Sequence, residues 1–313
     1  MRFVIGSRGS KLALWQAEYV SELLQLKGAQ TEIKIIETKG DKILNQALSE
    51  IGSKGLFTEE LENELRAGTI DLAVHSAKDM PSFIPEELEL VAFSEREKVN
   101  DVVLSLRKDL TIALAVQEGL KIGTSSTRRR ACLKHYYPGI ALVDMRGNLQ
   151  TRMRKMEEGA CDAMILAYAG VYRMGMDSFI TEELDEDRFT PAVGQGCLAI
   201  ETSKSLAQTK REFIREALNN AETEFCLLAE RSFLSTMEGG CSVPVFALAE
   251  LRSDIIHIKG GVVSLDGAQR IQSQDQDHKK NAVALGKSLA DYIISQGGGK
   301  ILEEIKRLKN EKH

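Results

Sequence analysis

Seven arginines, Arg128, Arg129, Arg130, Arg146, Arg152, Arg154 and Arg173, fall within one stretch of the chain. The most informative setting among them is Gly123-Thr124-Ser125-Ser126-Thr127-Arg128-Arg129. Small and hydroxylated residues at a helix start leave backbone N–H groups aimed outward. The two arginines that follow can make two-pronged contacts to carboxylates. Taken alone, the same residues would serve equally well as an N-cap followed by a solvated basic turn. Arg146-Gly147-Asn148, which follows a β-branched run, and Arg152 on the next helical pattern tip the balance towards an anion site. Arg130 and Arg154 fall on the solvent side of that reading.

Two further residues could do chemistry. Asp79 follows the apolar run 70–74 and His75-Ser76-Ala77-Lys78, just before the Met80-Pro81 turn. The ends of strands are where α/β folds present reactive groups, and a carboxylate beside Lys78 suits stabilising a cation better than donating a proton. From spacing alone, a turn-capping aspartate is the stronger reading, and His75 reads as a core histidine. Cys241 lies in Glu238-Gly239-Gly240-Cys241-Ser242-Val243-Pro244. A preceding helix end and Glu238 both disfavour a thiolate. The residue is therefore a poor turnover nucleophile and a better one-time attachment point for an electrophile. Without further context, a buried structural cysteine fits it as well.

The bulk composition narrows the classes. With 313 residues, 43% hydrophobic and 28% charged, the chain can build two or three cores. A net charge of −5 opposes a general nucleic-acid binder. A local cationic cluster on an acidic protein points instead to a compact polyanionic ligand. Five dispersed cysteines form no zinc spacing, so no metal is expected. No apolar run reaches the roughly 18–20 residues of a membrane span, and the N-terminus is not a secretory signal. A cytoplasmic location and no membrane partner are expected. Phosphate-loop, Gly-x-Gly-x-x-Gly and Gly-x-Ser-x-Gly motifs are absent.

These residues need elements to hold them. The first two-thirds alternates β-branched runs with helical patterns, the signature of an α/β sheet with mostly parallel strands. Strands are expected at 3–5, 31–37 and 70–74. A first helix should bury Leu12, Trp15, Tyr19, Leu23 and Leu26, and a second should bury Phe57, Leu61 and Leu65. The rhythm restarts with strands at 102–104, 120–122, 140–143 and 163–166, a helix opening at the arginine pair and another over 150–158. Two such halves would give a cleft at the ends of their strands. From about residue 219 the pattern changes to a helix over 221–237, strands at 245–250 and 255–263, and two closing helices. This last part reads as a smaller α+β domain.

In order and spacing, the segments resemble the porphobilinogen deaminase (hydroxymethylbilane synthase) family. The matching stretches are Gly6-Ser7-Arg8 with Ser10 and Leu12-Ala13-Leu14, Thr38-Lys39-Gly40-Asp41, Lys54-Gly55-Leu56-Phe57 and residues 74–81. They continue with residues 123–129, Arg146-Gly147-Asn148, Ala192-Val193-Gly194-Gln195-Gly196, Glu230-Arg231 and Gly239-Gly240-Cys241 to Pro244. Together they cover about residues 4–245.

The resemblance implies two periplasmic-binding-protein-like (type II) α/β domains with a cleft, plus a small C-terminal α+β domain. Domain 1 would be 1–96 and 193–216, domain 2 would be 97–192, and domain 3 would be 217–313. It implies a monomeric transferase of tetrapyrrole biosynthesis that condenses four porphobilinogen molecules, losing ammonia, onto a covalent dipyrromethane cofactor. Cys241 would carry that cofactor through a thioether, and Asp79 would be the catalytic aspartate. Ser76, Lys78, Ser126, Arg128 and Arg129 would hold cofactor carboxylates. Arg8, Ser10, Gln16, Lys54, Phe57, Arg146, Arg152, Arg173 and Gln195 would hold substrate or the growing chain. The chain departs from the family pattern at Cys132, where glutamine is frequent, at Glu59, where a basic residue is frequent, and at Phe246, where a small residue is usual. A non-catalytic anion- or solute-binding protein of the same α/β class is the alternative reading.

Overall fold

A computed structural model describes residues 1–38, 58–240 and 243–311. Lys54, Phe57 and Cys241 therefore lie outside the described residues. The chain opens with β1 (Arg2–Ser7), α1 (Lys11–Leu26), β2 (Gln30–Ile35), α2 (Glu59–Arg66), β3 (Leu72–Ser76) and β4 (Leu88–Phe93). It continues through β5 (Asp101–Ser105), α3 (Ile112–Glu118), β6 (Lys121–Gly123), α4 (Thr127–Tyr136), β7 (Ala141–Val143), α5 (Leu149–Glu157), β8 (Ala163–Ala167), α6 (Tyr168–Arg173) and β9 (Ile180–Glu183). Then come β10 (Leu198–Ser203), α7 (Gln208–Leu218), α8 (Ala221–Thr236), β11 (Val245–Arg252), β12 (Ile255–Val263), β13 (Arg270–His278), α9 (Ala282–Ile293) and α10 (Gly299–Asn310).

Two compact units result, Met1–Glu97 with Gly196–Glu224, and Lys98–Gln195 with Phe225–His313. The first holds a five-stranded sheet in the order β2-β1-β3-β10-β4. β1 runs parallel to β2 and β3, while β10 is antiparallel to both β3 and β4. The second unit repeats this plan as β7-β6-β8-β5-β9, with β5 as the antiparallel strand. In each sheet the antiparallel strand is the first one formed after the chain arrives from the other unit. This shared strand order explains why the sequence rhythm restarts.

Local sequence accounts for the packing. In α1 the buried face is Ala13, Gln16, Ala17, Val20, Ser21 and Leu24. This is offset from the large-residue stripe expected from sequence, and Leu26 is 82% exposed. Alanines bring the helix axis close to the sheet, and the larger Leu12, Trp15, Tyr19 and Leu23 rim that contact half-buried. In α2, Leu61 and Leu65 are buried as their spacing demands. Cys132, Cys161, Cys197 and Cys226 are free and buried. Burial pushes the Cys132 thiol up, and burial with the neighbouring Asp162 charge pushes Cys161 up to about 11.

The second unit also contains a three-stranded antiparallel sheet, β11-β12-β13. One face packs Ala247, Ile256, Ile258 and Val262 against Ala229 and Phe233 of α8, Leu285 and Leu289 of α9 and Ile301 of α10. From the other face Phe246 and Val263 enter the core of the β7-β6-β8-β5-β9 sheet beside Val103, Ile122, Cys132 and Phe189. Phe246 is completely buried, with Gly261 leaving room for its ring and Arg270 4.9 Å from the ring centroid. A bulky residue at this position thus joins the small sheet to its neighbour.

Candidate active site

In the first unit, the C-terminal ends of parallel β1 and β3 lie side by side, with Gly6 opposite Ala73. Ser7, completely buried, donates its hydroxyl to Ala13 O at 3.0 Å and so ties the end of β1 to the first turn of α1. Ser10 caps α1 by accepting from Ala13 N at 3.3 Å. Arg8 and Ser10 flank this turn, both partly exposed. Gln16, 3% exposed, donates to Ser76 Oγ at 2.8 Å and fixes that hydroxyl at the end of β3.

β3 then ends in a single 3-10 turn, Ala77–Asp79, anchored by Ala77 N donating to Cys197 O at 3.0 Å. Lys78 is partly exposed and Asp79 is exposed. The structure therefore brings Arg8, Ser10, Gln16, Ser76, Lys78 and Asp79 to one edge of one sheet. His75 points the other way, 3.1 Å from Glu201 on β10, with both side chains buried.

The second unit uses the same edge of its own sheet. Parallel β6, β7 and β8 deliver three loops there. Ser126 caps α4, accepting from Arg129 N at 3.4 Å, and Ser125 donates to Met145 O at 2.5 Å. Gly147 has φ +108°, and a Cβ there would fall 2.7 Å from Thr151. Asn148 next to it caps α5 through Thr151 N at 2.9 Å. Each member of Arg146-Gly147-Asn148 thus has a physical task. Arg146 pairs with Asp144 at 2.8 Å, Arg152 donates to Gly147 O at 2.8 Å, and Arg173 ends α6. These three arginines are partly exposed.

Arg128 and Arg129 are different, at 4% and 7% exposure. Both reach Asp101, the first residue of β5, which is completely buried. Arg128 meets one carboxylate oxygen and Arg129 the other, each at 2.7 Å. Arg128 also donates to Thr190 O at 2.9 Å and Arg129 to Ile165 O at 3.0 Å. Gln195, 1% exposed, donates to Asp101 at 2.9 Å and to Val99 O at 2.6 Å. The N-terminal turn of α4 is therefore bolted to β5 through two cations and one anion.

Burial would push the Asp101 carboxyl up, but the two guanidinia and Gln195 outweigh it and hold the group well below the usual carboxylate range. The folded value lies below the unfolded one, so the stabilisation is complete above about pH 4 and fades as the pH falls further. The gap in thermal midpoint between wild type and Asp101→Asn should therefore be constant near neutrality and narrow below about pH 4. A gap that widens on acidification would contradict this assignment.

Sequence reasoning missed three buried carboxylates. Asp101 opens a strand whose other residues, Val-Val-Leu-Ser, are all buried, and that isolated acid was the available signal. Glu201 interrupts the fully buried β10. Glu230, also fully buried, accepts from Gly194 N at 2.9 Å and Ala249 N at 2.8 Å. It therefore holds the 192–195 segment against β11, which gives the Glu230-Arg231 motif a structural task.

The cluster also bears on what could bind. Two guanidinia face one carboxylate, and Nε of both Arg128 and Arg129 is buried with no hydrogen-bond acceptor. Two guanidinia sharing one carboxylate leave net positive charge, which suits an anionic organic group. Among the described residues, no group of three or more His, Cys, Asp or Glu could hold a metal ion. No described helix is long and apolar enough to cross a membrane.

Comparison with known proteins agrees with this chemistry. Residues 3–211 match the family model described as porphobilinogen deaminase, dipyromethane cofactor binding domain, and residues 224–295 match that of the porphobilinogen deaminase C-terminal domain. The chain is 55% identical over 303 residues to the porphobilinogen deaminase of Cytophaga hutchinsonii, covering 97% of this chain and 96% of that protein. It is 50% identical over 307 residues to the protein of the same name from Desulfosudis oleivorans, covering 98% and 99% respectively. A third relative so named, from Syntrophomonas wolfei, is 46% identical over 305 residues, covering 97% and 98%. The chain belongs to the porphobilinogen deaminase family.

Proposed function

We propose that the chain is a transferase of tetrapyrrole (haem) biosynthesis that condenses four porphobilinogen molecules head to tail, with loss of ammonia, and releases hydroxymethylbilane by hydrolysis. The observation that carries the reading is the Arg128–Asp101–Arg129 cluster, buried and net cationic, within a cofactor-binding domain of this family. When bound, the dipyrromethane cofactor supplies the pyrrole carbon to which new units are joined. Cys241 is its proposed thioether anchor.

The chain's own residues then divide the work. Asp79, exposed at the end of β3, offers acceptors to a pyrrole N–H and a negative charge to the cation that forms as the substrate's amino group departs. Ser76, oriented by Gln16, and Lys78 lie beside it to hold carboxylates. Ser126, Arg128 and Arg129 hold carboxylates in the second unit. Arg8, Ser10, Arg146, Arg152 and Arg173 are placed for the acetate and propionate groups of substrate and product chain. Lys54 and Phe57 are carried in the same role by their family match, whereas Gln195, buried and bonded to Asp101 and Val99 O, acts on the bound chain through the arginine cluster. The protein works as a cytoplasmic monomer in this proposal.

Incubation with porphobilinogen tests it directly. Release of one ammonia per substrate consumed, with a linear tetrapyrrole as product, is the expected result. Binding without ammonia release would favour a solute-binding protein instead. Arg146→Ala and Arg152→Ala should each slow addition by about tenfold to a hundredfold, the cost of losing a charged hydrogen bond. Unchanged rates would remove these residues from the substrate path.

A further inference from the structure

Asp101, Arg128, Arg129 and Gln195 close on one another inside the second unit, all nine-tenths or more buried. Two guanidinia, one carboxylate and one neutral amide sum to a single positive charge. Thr190 O, Ile165 O and Val99 O, which also accept from these side chains, are neutral carbonyls. The nearby Cys132 thiol adds no anion, because burial keeps it protonated. A buried cation lacking a counter-charge is costly, and here the deficit lies at the N-terminal turn of α4, which already favours anions.

We infer that Asp101 is a positioning residue: its carboxylate holds the two guanidinia side by side and sets the cluster's net charge at one, leaving a single unit of positive charge for an anionic ligand. The inference rests on the proposed function only in naming a primer carboxylate as that ligand. Asp101 touches neither substrate nor primer in this account. It acts through the arginines, whose side chains are 5% and 8% exposed, so an anion reaches only a small part of each. Two carboxylates at this position would neutralise the pair, and none would leave two repelling cations at the helix start.

The test uses full-length protein in a Cys241→Ser background, so that covalent priming does not obscure anion binding. The readout is the rise in thermal midpoint produced by sulfate over chloride at matched ionic strength. Asp101→Asn, with one more positive charge, should enlarge that rise about twofold, and Asp101→Glu should keep it near the parent value. Arg129→Gln, which brings the sum to zero, should abolish the cluster's share. Equal sulfate responses in the parent and Asp101→Asn would overturn the inference, and so would an undiminished response in Arg129→Gln. If Asp101→Asn does not fold, the Arg129→Gln arm decides alone. A purely structural role for Asp101 would lower the midpoint without changing the sulfate response. Wild-type protein that never acquires primer mass would sink the functional reading and leave this ordering intact.

Discussion

Asp79→Ala protein should fold and carry its primer, yet turn over about 10²–10³-fold more slowly than wild type, as when one preorganised charge-stabilising group is removed. The fold should survive because the turn at Ala77–Asp79 is held by main-chain bonds, Ala77 N to Cys197 O and Met80 N to Ala77 O, not by the Asp79 side chain. Asp79 is exposed at the strand end, so its loss leaves no buried group unpaired. Asp79→Asn keeps shape and one acceptor but removes the charge, and it should be nearly as slow if charge is what matters. Single-turnover ammonia release measures both variants. Activity within about threefold of wild type in Asp79→Ala would contradict the role outright.

The second large effect concerns stability. Asp101→Ala should destabilise the second unit by about 3–5 kcal/mol, because it leaves two buried guanidinia without their shared anion. Hydrogen exchange of the β5 and α4 amides is the appropriate measurement, since it reports on the unit itself and not on the whole chain. Protection in β5 and in the first turns of α4 should fall together, because Asp101 is their common tie. A loss under about 1 kcal/mol would mean that other contacts hold α4 in place.

Much of this was legible in the sequence for identifiable reasons. Strand-helix alternation with short β-branched runs announced the parallel strands of both sheets, and the ordered motifs marked the loops at their C-terminal edges. Ser126 and Asn148 are local devices, each capping a helix three residues on, so their roles follow from neighbours in sequence. The Asp101 cluster was not legible because it joins residues 27 and 28 positions apart. Nothing local distinguishes an arginine aimed inward at β5 from one aimed at a ligand. The face of α1 was misjudged because spacing weighs large residues, whereas Ala13 and Ala17 decide the close approach. β13 escaped detection because its nine residues contain a single apolar one, Ile271, and it is held by main-chain pairing to β12.

We place the primer of this covalently primed transferase on Cys241. Intact mass of purified, denatured wild type beside Cys241→Ser tests it most directly. Wild type should carry an excess of one dipyrromethane, present on isolation or gained on incubation with porphobilinogen, and the variant should carry none. Wild type that stays unmodified after incubation, or an equal excess on both proteins, would contradict it.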